Sequence, residues 1–344
     1  MAVRLKDVAD RAGVSVSAVS NILNGYTKSR IKLETQERVR QVALEMGYRP
    51  SAVARALVRR QTDTLGVVLP PTDETPLRDP FFSAMLEGIL QAATTRRRDT
   101  MVFTAHPEWS TEDRLGKLCD GRCDGLIVFY QPVESDLLTA LLDQSVPFVL
   151  ASDWREDPRI TCVDVENQES MRRITEYMIG LGHRRIALLS SENGYFVAPR
   201  VIGYHDALHL HGIAADPRFL ITNVAPWHPA TVFQAVAQLM LLPVSQRPTA
   251  LLCTSDNLAA IAISAVTRFG LRVPEDVSIT GFNDDSNAIR QHPALTTMAH
   301  PYEQIGRTAI DLVQAQIDDP ETQPQQVRLP TELIVRESTA PPPG

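Results

Sequence analysis

The chain has 344 residues, 44% of them hydrophobic and 22% charged, enough for two or three ordinary domains with cores of their own. No apolar run approaches the ~18 residues of a membrane helix. With Arg4, Lys6 and Asp7 so early, no secretory leader is expected, and four cysteines at this length suit a reducing compartment. The net charge of −7 hides a split: residues 1–60 carry 12 basic against 5 acidic side chains, a net +7, and the remainder 22 against 36, a net −14. A basic head on an acidic body is expected to meet a polyanion through the head alone.

The head opens with "LKDVADRAGVSVSAVSNILNG", which reads as two helices and a tight turn. Leu5, Val8, Ala9 and Ala12 form one apolar stripe, and Val16, Val19, Ile22 and Leu23 a second. Gly13 can take the positive φ of a sharp helix end, and Ser15 is a good N-cap. Ser17, Ala18, Ser20, Asn21 and Asn24 are short and uncharged, suited to base edges in a major groove, with Arg4, Lys6 and Arg11 beside them for phosphates. The spacing alone also fits a helical hairpin of no special function. However, "KDVADRAGVSVSAVSNILNG" resembles the headpiece signature of the lactose-repressor (LacI) family of transcription regulators, and "LETQERVRQVALEMGYRPSAVARAL" continues the match as a third helix and a hinge.

That resemblance implies a helix-turn-helix DNA-binding headpiece over 1–49 and a hinge over 50–61. Val16, Ser17 and Asn21 fall where the family reads bases, and Lys6, Ser15, Ala18, Ser20, Asn24, Tyr48, Ala54, Arg55 and Leu57 complete the expected contact set. Leu57 is the implied hinge leucine, an apolar wedge for the minor groove, with Arg55, Arg59 and Arg60 for the flanking phosphates. The chain departs from the family at Arg4, where a capping Thr is usual, and at Lys32, where a Ser is usual. Its loop "GYTKSRIKLET" is also longer by about two residues, adding Lys28 and Arg30. A hinge this short is too brief for a stable isolated helix, so it is expected to fray unless a partner hinge and DNA hold it.

From Thr64 onward, short apolar runs alternate with amphipathic stretches. "LGVVLP", "TMVFTA", "GLIVFY" and "PFVLAS" read as buried parallel strands. After "ITCVDVEN" the pattern begins afresh with "RIALLSS", "FLITNV", "ALLCTS" and "VSITGF". Two sets of βαβ units imply two doubly wound α/β subdomains, with ligands bound beyond the carboxyl ends of the strands. The expected fold is thus a small all-α helix-turn-helix domain followed by a periplasmic-binding-protein-like core, 62–344. Its N-subdomain is placed at about 62–165 and 295–322, and its C-subdomain at about 166–294 and 323–338.

The family resemblance extends over this body through "VDVENQES", "PRVIGYHDAL", "PTALLCTSDNLAAIAI" and "GLRVPEDVSITGFND". It implies effector contacts from Arg200, Asp256, Trp227, Phe81, Phe82, Asp153 and Asn167, with Glu166 in place of the usual Asp. Arg200 and Asp256 could equally form an ordinary ion pair, and the two Phe plain helix core. The implied effector is a sugar or sugar derivative; a nucleobase or a protein co-regulator are alternatives, as is an exported sugar-binding role.

No motif supports an enzyme. Cys119 and Cys123 lack a second metal-ligating pair, His205 and His209 lack the Glu of a hydrolytic zinc motif, and "GLGH" follows a helix where a dinucleotide fingerprint needs a strand. No cofactor, catalytic residue or metal is expected. The expected partners are double-stranded operator DNA, read as a pseudo-palindrome by a homodimer, and the effector, with no membrane. The expected place is the bacterial cytoplasm, at the nucleoid. The ending "VRESTAPPPG" lacks a heptad pattern, so no tetramer is implied.

Overall fold

The computed structural model describes residues 3–24, 31–59, 61–71, 76–132, 135–191, 194–225 and 228–343, with backbone alone at 52 and 53. Two compact units result: Met1–Thr64 with Gly121–Asp124, and Leu65–Asp120 with Gly125–Gly344.

The first unit contains α1 (Leu5–Ala12), α2 (Val16–Leu23), α3 (Leu33–Glu45) and α4 (Ala52–Arg59). Val8, Ala9, Ala12, Val19, Ile22, Val39 and Ala43 form its core, so both stripes point inward, except that Val16 leaves the second and is 43% exposed. Gly13 turns the chain at φ +66°, and Ser15 Oγ accepts from the Ala18 N–H at 3.2 Å. Arg4 provides no side-chain cap; its own N–H donates to Asp7 at 2.8 Å, so a carboxylate one turn on holds the helix start. Lys32 likewise leaves α3 without a side-chain cap.

The hinge stretch carries α4, tied down at several points. Ser51 Oγ accepts from the Ala54 N–H at 3.3 Å, Arg55 donates to the Pro50 carbonyl at 3.0 Å, and Arg59 donates to the Asn24 carbonyl at 2.7 Å. The first of these ties caps the start of α4, and the last joins its final residue to the end of α2.

In the second unit the chain alternates strands and helices. The first half runs β1 (Thr64–Val68, starting one residue before the unit boundary), α5 (Pro80–Thr95), β2 (Asp99–Phe103), α6 (Thr111–Leu118), β3 (Gly125–Phe129), α7 (Leu137–Asp143), β4 (Phe148–Ala151) and β5 (Cys162–Val165). The second half runs α8 (Asn167–Gly180), β6 (Ile186–Leu189), α9 (Val197–Leu210), β7 (Leu220–Ile221), α10 (Pro229–Met240), β8 (Ala250–Cys253), α11 (Asp256–Arg268), β9 (Ser278–Thr280) and α12 (Ser286–Arg290). Then follow β10 (Thr297–Ala299), α13 (Tyr302–Asp318), β11 (Gln326–Leu329) and β12 (Glu332–Ile334).

Six strands form one sheet in the order β11-β5-β4-β3-β1-β2, and four form another, β7-β6-β8-β9. The pairings of β1 with β3, β3 with β4, β4 with β5 and β6 with β8 are parallel, as buried apolar runs require. One boundary needs correction. β11 falls in the stretch assigned to the second subdomain, but it pairs parallel with β5 in the first sheet, Val327 opposite Val163. Its exposed Gln326 and Arg328 alternate with Val327 and Leu329, which pack on the core, the pattern of an edge strand with one solvated side. β10 and β12 pair antiparallel as a separate two-stranded ribbon.

Close helix packing places the site. Gly203 on α9 faces the Gln168 carbonyl of α8 so tightly that a methyl there would overlap the oxygen. One turn earlier on α9, Arg200 therefore lies against the first residue of α8, Asn167.

Candidate functional site

The expected base-reading residues lie on α2 and its flanks. Ser15, Val16 and Ser17 are exposed, and Ala18, Ser20, Asn21 and Asn24 are half-buried. Ser15 and Ser17 share a hydrogen bond at 3.0 Å, and the Asn24 amide donates to Ser20 Oγ at 3.2 Å. Asn21 has no side-chain partner among the described residues, which leaves both amide groups for an outside ligand. Lys6 and Arg11 are exposed beside this face. Tyr48 is half-buried against the three-helix core. In the hinge, Ala54 is exposed, Arg55 is held by Pro50, and Leu57 is 82% exposed. Lys28, Arg30 and Arg60 lie outside the described residues.

In the second unit a cavity of about 320 Å³ opens beyond strand ends of both sheets. Of the expected effector contacts, Phe81, Phe82, Asn167 and Arg200 line it. Arg200 is 4% exposed; its Nε donates to Asn167 Oδ1 at 2.8 Å and its Nη1 to the Thr254 carbonyl at 2.6 Å. Its guanidinium lies 3.4 Å from the Phe282 ring centre and 4.6 Å from that of Phe196. Nη2 has no protein acceptor among the described residues, so the fork retains donors. Burial lowers the Arg200 pKa to about 9, against the opposing pull of Asp164 and Asp256.

Two expected residues do not line the cavity. Asp256 is fully buried at the start of α11, where its oxygens accept from Thr297 Oγ1 at 2.7 Å and from the Asp285 N–H at 2.8 Å. Burial, then the neighbouring Asp285, holds its carboxyl well above the usual range. It pairs with neither a ligand-facing group nor Arg200; it ties α11 to the β10 and α12 segments. Asp153 is likewise turned inward, accepting from Arg155 and from the N–H groups of Trp154 (2.9 Å) and Gln131 (3.1 Å). Trp227 lies outside the described residues.

The lining also includes groups the sequence reading did not single out: Asp79, Tyr130, Asp164, Asn283 and His300 among them. Asp164 accepts from Asn167 Nδ2 at 2.8 Å, completing an Asp164–Asn167–Arg200 chain, and burial raises it to about 7. Asp79 caps α5 by accepting from the Phe81 N–H at 2.9 Å, and burial raises it to about 6. His300 is 6% exposed; burial, then Arg200, lowers it to about 3, so the ring is neutral at physiological pH. Its ring packs edge-on against Phe81 at 5.3 Å.

Residues 4–51 match the description "Bacterial regulatory proteins, lacI family", and residues 175–339 match "Periplasmic binding protein-like domain". The HTH-type transcriptional repressor PurR of Aliivibrio fischeri (strain MJ11) is 30% identical over 340 residues, spanning 97% of each chain. Among solved structures, the lac repressor dimer bound to operator and the anti-inducer ONPF is similar at a TM-score of 0.84 and 26% identity, covering 99% of this chain and 100% of that one. A complex of the transcriptional regulator CelR with cellobiose is similar at a TM-score of 0.74 and 27% identity, covering 98% and 99%.

Proposed function

The chain belongs to the lacI family of bacterial regulatory proteins, and from that premise we propose that α2 and Leu57 read an operator while the cavity at Arg200 holds the effector. The protein is a ligand-responsive DNA-binding regulator. We read it as a cytoplasmic repressor acting as a homodimer on a pseudo-palindromic operator, since one short helix reads too few base pairs for genomic specificity. The similarity to an operator-bound lac repressor dimer supports that reading. Among the described residues no helix is long and apolar enough to cross a membrane.

The observation that carries the effector assignment is the state of Arg200: buried and held on two sides, with Nη2 still unengaged at a cavity walled by Phe81 and Phe196. A cation fixed in place with donors to spare is preorganised for a hydroxylated or carbonyl-bearing ligand, and the rings supply the apolar face. A sugar or sugar derivative fits best, and the similar CelR structure holds cellobiose; a nucleoside is the second reading, favoured by the aromatic wall. Effector closure of the two subdomains is the step that alters DNA affinity.

The test is a thermal-shift screen of the full chain against sugars and nucleosides. A ligand at 100 times its dissociation constant adds about 2.7 kcal/mol, and Arg200→Ala abolishes that gain. A shift that survives in the variant places the effector elsewhere.

A further inference from the structure

The walls of the Arg200 cavity favour hydrogen-bond acceptors over positive charge. Helix N-termini commonly bind phosphate or carboxylate, because free N–H groups and the helix dipole both favour negative charge. Here two helices that begin at the cavity are closed by the chain's own side chains. Asp79 caps α5, and Ser255 caps α11 by accepting from the Leu258 N–H at 3.2 Å, with Asp256 in its first turn. At α9 the N-cap position is Phe196, whose ring faces the cavity. At α8 the first residue is Asn167, whose amide is committed to Asp164 and Arg200. An anion brought to these helix starts meets Asp79, Asp164 or an aromatic ring.

Arg200 is the one basic side chain, besides the neutral His300, among the described lining residues, and it already faces Asp164. Across from it, His300 supplies a further polar group. Its Nε2 shares a 2.9 Å hydrogen bond with Ser152 Oγ, and Ser152 also lies 3.4 Å from the Met85 sulfur. Nδ1 is buried with no partner among the described residues. Leaving such a group unpaired is costly, and a ligand hydroxyl, which can donate or accept, restores the bond in either tautomer. The side-chain amide of Asn283 lines the same space with no protein partner among the described residues.

We propose that this cavity selects an uncharged or amine-bearing polar ring that donates hydrogen bonds to Asp79 and pairs with the unpartnered Nδ1 of His300, and rejects the phosphorylated or carboxylated forms of the same compound. Free sugars, amino sugars and nucleosides fall in the accepted class; sugar phosphates, sugar acids and nucleotides fall outside it. This rests on the cavity being the effector site. Like charges brought together oppose binding, and the discrimination is expected to reach roughly 100-fold.

Equilibrium dialysis of the full-length protein against a defined mixture, read by mass spectrometry, tests it. The mixture pairs glucose and glucosamine with glucose 6-phosphate and gluconate, ribose with ribose 5-phosphate, cellobiose with cellobionate, and adenosine with adenosine monophosphate. The expected result is enrichment of an uncharged or amino member, its anionic counterpart binding roughly 100-fold more weakly. Asp79→Asn keeps an N-cap residue and is expected to narrow that gap at least about tenfold. Preferential enrichment of a phosphate or acid overturns the inference, as does an unchanged gap in the variant. If no member is enriched and none alters DNA binding, what fails is the assignment of the cavity as the site for a ligand of these classes.

Discussion

Arg59 and Asn24 are joined across 35 positions: the Arg59 guanidinium donates from Nη2 to the main-chain carbonyl of Asn24 at 2.7 Å. Asn24 closes the recognition helix, so a cation sits where the helix dipole is negative and a terminal carbonyl needs a donor. Nη1 of the same side chain lies 3.6 Å from the Asp63 carboxylate, whose residue takes a left-handed φ of 56° while its N–H donates to Asp124 at 2.9 Å. One side chain thus ties α4 to α2, the helix proposed to read bases.

Replacing Arg59 with Ala is expected to weaken specific operator binding about 10- to 100-fold, the worth of a hydrogen bond to a charged group. Non-specific binding falls less. Titrating both complexes against salt separates this from a phosphate contact. A phosphate-contacting Arg59 predicts equal losses on both DNAs and a salt slope shallower by about one.

Leu57 is 82% exposed, which no folding advantage explains. The proposed wedge between base steps would store its energy in bent DNA. Leu57→Ala should therefore reduce operator affinity and the bend angle measured by fluorescence transfer between labelled DNA ends, while non-specific affinity stays nearly unchanged. Equal losses on specific and random DNA would sink the wedge.

How far the sequence could be read depended on the range of the physics involved. The stripe at Val8, Ala9 and Ala12, the turn at Gly13 and the cap at Ser15 are local, and each stands where spacing put it. Val16 left its stripe: it is the first residue of α2 and stays 43% exposed, while Val19, one turn on, is buried. Arg200 and Asn167 were legible only through the family resemblance of the motifs that carry them, "PRVIGYHDAL" and "VDVENQES". Asp256 follows a strand end, and nothing local reveals that its carboxylate turns toward Thr297 rather than the cavity. Asp164 sits inside "VDVENQES" yet nothing in that stretch singles it out, and Asp79 and His300 reach it from the start of α5 and the end of β10, a long-range fact that single-stretch patterns do not contain. The edge strand β11 was misassigned for a related reason, since its exposed alternation resembles a terminal extension until β5 is seen beside it.

Asp164 gives the cavity a measurable pH signature. It is 5% exposed, and burial raises its carboxyl to about 7 despite the Val165 N–H and Arg200. A carboxyl raised on folding binds a proton that the unfolded chain has released, so between roughly pH 4 and 7 stability falls as pH rises, by up to about 1.4 kcal/mol per pH unit. Asp79 and Asp285, raised to about 6, act in the same direction. His300, lowered to about 3, and His183, also lowered by burial, act oppositely: what they contribute is present above about pH 6.5 and is lost as pH falls toward their folded values. The total profile is therefore mixed, but Asp164→Asn isolates one group, because the amide oxygen can still accept from Asn167. Urea unfolding of both proteins from pH 4 to 8 is expected to show equal stability near pH 4 and a growing advantage for the variant, reaching up to about 4 kcal/mol at pH 7–8. A difference that does not change with pH would mean that Asp164 keeps its charge across the range, and that Arg200 faces a full counter-ion rather than a carboxyl half-protonated near neutrality.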